Sequence, residues 1–235
     1  MTTLVLILAV AAWLHFTGGP RWLRSLTQLI RRPRTGAGAS AAARARQLRT
    51  PTVRIVEAFG IRTQAGALAD RSEAGGEGER RTAARLAPLG RKGWTLLHDR
   101  ALPQGNANID HLAISPTGVV CVLDTKRWSA RWPVTARGGR LYHGNRDVTD
   151  RLNGLRHETN TVAKTLSVLV VPVVLMDGPQ LIGEPLAVDG IRIIAAAQAI
   201  PRLRAIAHGH PSHPHPAHLA ARAACAFPPY AQGHH

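Results

Sequence analysis

Residues 108–128 read NIDHLAISPTGVVCVLDTKRW, two apolar segments separated by the turn residues Ser-Pro-Thr-Gly at 115–118. Proline at the second position of this turn and glycine at the fourth are typical of a type I turn, so the segment predicts a β-hairpin. Both arms are rich in Ile, Leu and Val, which indicates that the two strands are buried. Antiparallel pairing about this turn places Asp110 opposite residue 123 or residue 124.

The hairpin brings two carboxylates and an amine to one place. Directly opposed residues of antiparallel strands have Cβ atoms about 4.5–5.5 Å apart, so Asp110 and Asp124 can supply oxygens to the same cation. Lys126 follows Asp124 by two residues and therefore projects from the same face of its strand. Oxygen ligands suit hard divalent cations, and bound Mg²⁺ or Mn²⁺ would remove the repulsion between the two acids.

Glu79 and Thr125 complete the predicted metal site. The segment GGEGERRTAARLAPLG at 75–90 predicts a helix with Glu79 in its first turn, and Thr125 would supply its backbone carbonyl. The ammonium of Lys126 would hold the attacking water, lower its pKa or stabilise the transition state at a phosphodiester. A solvated surface hairpin is the competing interpretation. The apolar strands favour a ligand, because unpaired buried carboxylates are costly.

The strong positive charge of the chain has two explanations. A formal charge of +16 and a pI of about 11.6 indicate an anionic partner, either nucleic acid or an acidic membrane surface. Residues 1–69 contain ten Arg and a single acid, Glu57, so more than half of the charge precedes the predicted metal site. Anionic lipid headgroups explain that basic stretch as well as DNA does.

The N-terminus resembles a membrane anchor. Residues 4–16 are apolar except for His15, and arginines follow from Arg21 onward. A full span needs about 20 apolar residues, a few more than this segment supplies. The arginines predict a cytoplasmic location for the rest of the chain by the positive-inside rule. The alternatives are an amphipathic or packed helix, and a cleaved signal peptide, with a simple cytoplasmic protein as the alternative localisation.

The remaining pattern predicts an α/β domain. Strands are expected at 94–98, 108–114, 118–123, 133–136, 140–142, 170–176 and 190–194, and helices at 75–90, 150–169 and 198–206. The predicted organisation is a membrane anchor at 1–20, a basic connector at 21–74, the α/β domain at 75–207, and a disordered tail rich in His and Pro at 208–235.

Several other polar residues have two interpretations. Arg127, Trp128 and Arg131, together with Trp132, follow the second strand of the hairpin and would line a nucleic-acid groove by charge and stacking; the alternative is a packed hairpin edge. His111 points to the face opposite Asp110, which favours a core position over a ligand.

The pair His157-Glu158 on the predicted helix 150–169 is a further candidate. Its pattern favours a solvated pair on the helix surface over a contact with the predicted metal site.

At these residues the chain resembles a known family, the nuclease-related domain (NERD) proteins. The resemblance is carried by AGGEGE at 74–79, LLHDRALP at 96–103, the hairpin at 108–128, the Gly-Gly-Arg turn at 138–140, the later helix, and VVPVVLM at 170–176. It covers residues 75–203, over half of the chain.

The resemblance implies a restriction-endonuclease-like core of the PD-(D/E)xK type, with a mixed central β-sheet flanked by helices. Carried over, Glu79 matches the glutamate of the family's Gly-Glu motif, Asp110 and Asp124 match the strand carboxylates, and Lys126 matches the lysine. The expected function is an Mg²⁺-dependent nuclease that hydrolyses DNA, with RNA as the alternative substrate. The alternative function is a non-catalytic adaptor that binds nucleic acid or protein.

Overall fold

The computed structural model describes residues 35–58, 63–105, 107–183 and 185–230. The predicted anchor at 1–20 and the first part of the predicted connector lie outside the described residues. Within the described ranges, no helix is both long enough and apolar enough to cross a membrane.

The described residues alternate between helices and strands. The α-helices are α1 (Ala39–Leu48), α2 (Pro51–Ala58), α3 (Gln64–Gly90), α4 (Asn153–Leu166), α5 (Ala199–His208) and α6 (Pro216–Ala226). The strands are β1 (Thr95–Ala101), β2 (Asn108–Ile114), β3 (Val120–Arg127), β4 (Val134–Arg137), β5 (Arg140–His143), β6 (Arg146–Asp147), β7 (Val170–Asp177), β8 (Leu181–Ile182), β9 (Leu186–Val188) and β10 (Ile191–Ala195). Short 3-10 helices at Thr149–Leu152 and Ala196–Gln198 precede α4 and α5.

The main sheet has six strands in the order β1-β2-β3-β7-β10-β9. Strands β1, β2 and β3 pair antiparallel, β3, β7 and β10 pair parallel, and β9 returns antiparallel at the far edge. The predicted mixed α/β fold with helices on the sheet is confirmed. Strand β3 lies inside this sheet between β2 and β7, so its polar residues are held by hydrogen-bonded neighbours on both sides.

The hairpin turn fixes the register of the polar residues. The Ser115 N–H donates to the Val119 carbonyl at 2.9 Å, and the Gly118 N–H donates to the Ser115 carbonyl at 2.9 Å. Gly118 has φ +82°, so the loop is a type I turn followed by one left-handed residue. The register pairs His111 with Leu123, and the next step of the same register sets Asp110 opposite Asp124.

Side chains of β3 alternate between two apolar layers. Val120 and Val122 pack with α4 and α6 in one cluster, whereas Cys121 and Leu123 pack with α3 and α5 in the other. By the same alternation, Asp124 and Lys126 belong to the α4 side of the sheet and Thr125 to the α3 side.

A second, smaller sheet follows the end of β3. Its four strands have the order β6-β5-β4-β8, with β4 and β5 joined through Gly138 and Gly139. Val134 and Leu141 of this sheet are fully buried in the same apolar cluster as β2 and β7. The small sheet is therefore packed onto the core beside the carboxyl end of β3.

Residues 208–230 do not form the disordered tail that the sequence predicted. Helix α6 buries Leu219 and Ala223, and the adjoining Phe227 is fully buried in the core. Arg100 donates to the carbonyls of Ala224 and Phe227, at 3.1 and 2.6 Å. Histidine and proline dominate the composition here and obscure three apolar positions on one face of a short helix.

The predicted connector is also structured in its described part. Helix α3 begins at Gln64 instead of residue 75, with the Thr63 hydroxyl accepting a hydrogen bond from the Gly66 N–H at 3.0 Å. The glycines that indicated a boundary lie inside α3, where they allow α1 to approach closely. A Cβ at Gly76 would lie 3.1 Å from that of Ala41.

Candidate active site

The carboxyl end of β3 gathers the four residues predicted to be catalytic. Asp124 is buried, with 6% of its surface exposed, and its Oδ2 lies 2.6 Å from the Nζ of Lys126. Asp110 faces Asp124 across the hairpin, and the charges of Glu79 and Asp124 both act on it. The structure thus brings Glu79, Asp110, Asp124 and Lys126 within electrostatic range of one another.

Glu79 projects from the middle of α3 and is 9% exposed. Its Oε2 accepts a hydrogen bond from the backbone N–H of Gly38 at 2.9 Å, at the start of α1. Burial, followed by the negative charge of Asp99, raises the pKa of Glu79 to about 7. This glutamate therefore belongs to both the site and the α1–α3 contact.

Asp110 is disfavoured as an anion by its surroundings. Burial, followed by the charges of Asp124 and Glu79, raises the pKa of Asp110 well above its ordinary value. Lys126 acts in the opposite direction but does not compensate. The acids at this site are thus short of positive charge.

Lys126 remains an ammonium in this environment. Burial lowers the pKa of Lys126, but the charge of Asp124 and the hydrogen bond to it outweigh burial and raise the pKa above its ordinary value. A Lys with this pKa donates hydrogen bonds and stabilises negative charge; it does not act as a base near neutral pH.

The donor chemistry fits a hard divalent cation, although the described residues do not present a finished cage. Carboxylates buried together with insufficient positive charge are what Mg²⁺ or Mn²⁺ would neutralise. Within the described ranges, however, no group of three or more His, Cys, Asp or Glu side chains is arranged to hold a metal ion. Asp124 is engaged by Lys126 and Glu79 by Gly38, so side chains must turn before they converge on one ion.

The side chain of Thr125 contacts α3, whereas those of Asp124 and Lys126 contact each other. Its hydroxyl donates to the Thr82 hydroxyl of α3 at 3.0 Å, and it pairs with Leu175 in the β3–β7 ladder. This contact anchors β3 to α3. The backbone carbonyl of Thr125 as a metal ligand stays a prediction.

Glu158 belongs to the site, so the expectation of a solvated His157-Glu158 pair is wrong for Glu158. Burial, followed by the charge of Asp124, raises the pKa of Glu158 to about 8, whereas His157 is exposed. The spacing contained the signal, because Glu158 lies three residues after Leu155 and four before Val162, and both of those residues are buried.

Asp99 is a second residue that the sequence analysis missed as part of the site. It is 1% exposed and has a left-handed backbone with φ +49° inside β1, a conformation that is uncommon in general and that Asp adopts more often than most residues with a Cβ. The backbone N–H of Ser40 donates to its Oδ2 at 2.7 Å, and the side-chain amide of Asn108 donates to its Oδ1 at 3.0 Å. Its match within LLHDRALP was the only signal.

The residues predicted to bind nucleic acid lie where β3 leads into the small sheet. Arg127 and Arg131 are exposed, and the guanidinium of Arg131 lies 5.2 Å from the ring centroid of Trp132, which is 51% exposed. Trp128 is half-buried against the core, with its ring 5.3 Å from that of His143. The packed-edge interpretation therefore describes Trp128, and the exposed cation–aromatic pair is Arg131 with Trp132.

His111 has the core position that its strand face predicted. It is 1% exposed, and its Nδ1 lies 2.8 Å from the Nδ1 of His98. Burial lowers the pKa of His111 to about 3, so it stays neutral at physiological pH.

Comparison with known proteins places this site within one family. Residues 74–176 match the family model described as NERD, nuclease-related domain. No curated protein and no solved structure was found to match the chain. The matched span contains the predicted catalytic residues, Asp99, Glu158 and the small sheet from β4 to β6. The resemblance to the nuclease-related domain family that the sequence motifs indicated is therefore confirmed over residues 74–176.

Proposed function

We propose that the chain is a metal-dependent nuclease with a restriction-endonuclease-like core of the PD-(D/E)xK type. The observation that carries the proposal is the opposed pair of buried Asp124 and half-buried Asp110, with Lys126 on the same hairpin inside a nuclease-related domain. A structural role alone gives no reason to oppose two carboxylates in a buried position. Phosphodiester hydrolysis does, because it needs a cation beside a developing negative charge.

The residues divide the task as follows. Glu79, Asp110 and Asp124 would hold Mg²⁺ or Mn²⁺, with the Thr125 carbonyl as a further oxygen. The bound cation would supply Lewis acidity at the scissile phosphate. Lys126 remains charged, and it would position the attacking water or stabilise negative charge in the transition state.

Exposed cationic and aromatic groups beside the site support a nucleic-acid substrate. Arg127 and Arg131 neutralise backbone phosphates in this proposal, and Trp132 supplies an exposed ring on which a base can stack. DNA is the proposed substrate and RNA the alternative.

The proposed location is the cytoplasmic face of a membrane. Its support is the apolar segment at residues 4–16, followed by arginines from Arg21 onward. Fractionation tests it, since deletion of residues 1–20 should move the protein from the membrane fraction to the soluble fraction. An unchanged distribution would favour the alternative of a cytoplasmic protein.

Nuclease assays test the proposed activity directly. The full chain in detergent is incubated with linear, nicked and single-stranded DNA, and with RNA, in Mg²⁺, Mn²⁺ or EDTA. We expect metal-dependent cleavage that Lys126→Ala abolishes, and the matched control Lys164→Ala, an exposed lysine on α4, retains. Identical cleavage by the parent and Lys126→Ala proteins would defeat the proposal.

A non-catalytic adaptor is the second candidate function. It is favoured by the engagement of Asp124 by Lys126 and of Glu79 by Gly38, which leaves both carboxylates occupied. An adaptor would bind nucleic acid equally well in EDTA and in Mg²⁺ and would leave it intact. A nuclease would bind more tightly with Ca²⁺ than with EDTA, because Ca²⁺ occupies such sites without supporting efficient cleavage in many Mg²⁺ enzymes.

A further inference from the structure

Helix α4 contributes a half-buried acid, Glu158, whose charge acts on Lys126 of the ion pair. Glu158 lies on the inner face of α4, between the core residues Leu155 and Val162. Its side chain runs back along the helix, so that Oε1 lies 3.7 Å from the position of a Cβ at Gly154. Long helical side chains usually take this direction, and the charge of Asp124 on β3 acts on this carboxylate.

One oxygen of this carboxylate is unused. The Oε2 of Glu158 is buried and has no hydrogen-bond partner among the described residues. A buried acceptor without a donor is costly, and a carboxylate oxygen more so than a neutral one. The charges of Asp124 and Lys126 both act on Glu158, and that of Glu158 acts in turn on Lys126. Among the charged groups that act on Glu158, Lys126 is the hydrogen-bond donor.

Lys126 is paired elsewhere in this structure. Its Nζ lies 2.6 Å from Asp124 Oδ2, on the carboxylate that must turn to a cation if the site is to hold one. An ammonium and a divalent cation on the same carboxylate repel each other. When the cation binds, Lys126 needs another acceptor close by that is not itself a metal ligand.

We propose that Glu158 is this second acceptor: when a divalent cation occupies Asp124, the Lys126 ammonium transfers its hydrogen bond from Asp124 Oδ2 to Glu158 Oε2. Glu158 is then a positioning residue, which acts through Lys126 and releases Asp124 for the metal. This inference rests on the proposed function, because it takes Asp124 to be a metal ligand.

A double-mutant cycle on metal binding tests the transfer without using activity. Mn²⁺ binding to the full chain in detergent is measured by electron paramagnetic resonance. Only the Mn²⁺ that Mg²⁺ displaces is counted, because the twelve histidines of the chain can bind Mn²⁺ on their own. The variants are Glu158→Gln, Lys126→Met and the double variant, with Asp150→Asn as the matched control that removes an exposed acid near α4.

Glu158→Gln should weaken Mn²⁺ binding by about 10-fold, the lower end of the usual effect of removing a residue that supports a metal site without ligating the ion. Lys126→Met should tighten it, and in the Lys126→Met background Glu158→Gln should change the affinity less than about twofold, since Lys126 is no longer present to compete. Asp150→Asn should match the parent.

Two results would overturn the inference and leave the proposed function standing. One is an unchanged affinity in Glu158→Gln. The other is an equal loss in both backgrounds, which would make Glu158 a direct ligand. Absence of Mg²⁺-displaceable Mn²⁺ in the parent would overturn the proposed function and this inference together.

A second measurement follows Lys126 itself. The chain has three lysines, at 92, 126 and 164, so ¹³Cε-lysine labelling gives a spectrum in which Lys126 is assigned by comparison with Lys126→Met. Addition of Mg²⁺ should shift the Lys126 resonance in the parent, and this shift should be smaller in Glu158→Gln. Equal shifts in the two proteins would overturn the transfer even if one variant were poorly folded in the binding assay.

Discussion

Carboxylates determine the electrostatics of the site at the scale of single residues. Asp110, Asp124, Glu79 and Glu158 lie close enough for each to act on at least one other, and Lys126 only partly offsets them. Such an arrangement opposes folding, because each acid must stay protonated or bear the repulsion of its neighbours. Proteins commonly have reduced stability where function requires several charged groups close together.

Asp110→Asn should therefore stabilise the metal-free protein. The substitution keeps the shape of the side chain and removes an acid whose charge is disfavoured, so we expect the free energy of unfolding at pH 8 to increase by about 1–2 kcal/mol. Urea denaturation in EDTA measures it, with Asp150→Asn as the exposed control. The same variant should lose any stabilisation by Mg²⁺. A decrease in stability in EDTA would mean that Asp110 is compensated by a partner.

The opposition of Asp110 and Asp124 could be predicted from the sequence. The turn residues allow few registers for the hairpin, and strand alternation then decides which face each side chain occupies. Glu158 could not be assigned with the same security. Its helical phase indicated burial, but an acid at such a position is more often at the solvent edge of a helix. Which strand α4 covers depends on the parallel connection from β3 to β7, and that connection is a tertiary feature.

At the scale of elements, α1 joins the predicted connector to the site. Its first turn donates the Gly38 N–H to Glu79 and the Ser40 N–H to Asp99, so two acids are held by one helix N-terminus. Nothing in this run of Arg and Ala indicated the contact, because both hydrogen bonds come from backbone N–H groups. The backbone makes the bonds, and backbone donors carry no signature in sequence.

Gly38→Ala should detach α1 from the site. Gly38 has φ +74°, and a Cβ there would lie 2.4 Å from the carbonyl oxygen of Gly76, a backbone atom that cannot move aside cheaply. The left-handed conformation alone costs about 1–2 kcal/mol for a residue with a Cβ. Hydrogen exchange should show loss of protection in residues 39–48 with β3 unchanged. Gly36→Ala is the control, because no atom lies within 4 Å of the added carbon although its φ is also positive. Equal protection of α1 in the two variants would contradict this account.

Helix α6 contributes to the stability of the fold by burying apolar side chains. Its core positions Leu219, Ala223 and the adjacent Phe227 are fully buried against the strands of the main sheet. Composition concealed this element, because a tail rich in histidine and proline satisfies the criteria for disorder. The folding signal is carried by few apolar residues, whose partners are distant in sequence.

Phe227→Ala should lower the free energy of unfolding by about 3–5 kcal/mol, the usual cost of a large cavity in a core. Cys225→Ala on the same segment is exposed and should have little effect. Thermal denaturation of the two variants compares them. If Phe227→Ala unfolds at the same temperature as the parent, the segment after residue 208 is not part of the folded core.

At the scale of the whole molecule, titrating groups act on stability in two separate pH ranges. His98, which is half-buried, and His111, which is buried, have lowered pKa values, so their contribution to stability increases with pH and is complete above the ordinary histidine value of about 6.5. Glu79 and Glu158 have raised pKa values, of about 7 and about 8. They keep protons in the folded state that the unfolded state releases near the ordinary value of 4.5, so they reduce stability as pH increases up to those values.

Between pH 7 and pH 8 the change in stability therefore comes from the carboxylates and not from the histidines. Burial raises the pKa of Cys121 to about 12, so this thiol lowers stability only from its ordinary value of 9.0 upward. In EDTA, the melting temperature should fall from pH 7 to pH 8. Glu158→Gln should make this fall smaller, because it removes the carboxyl group with the higher of the two pKa values. Mg²⁺ binds the deprotonated acids, so the stabilisation by Mg²⁺ should be larger at pH 8 than at pH 7. Differential scanning calorimetry at the two pH values, with and without Mg²⁺, measures both effects.

Two results would contradict this account. A melting temperature in EDTA that increases from pH 7 to pH 8 would show that the acids are already ionised and paired. A stabilisation by Mg²⁺ that does not depend on pH would place the cation elsewhere on the chain.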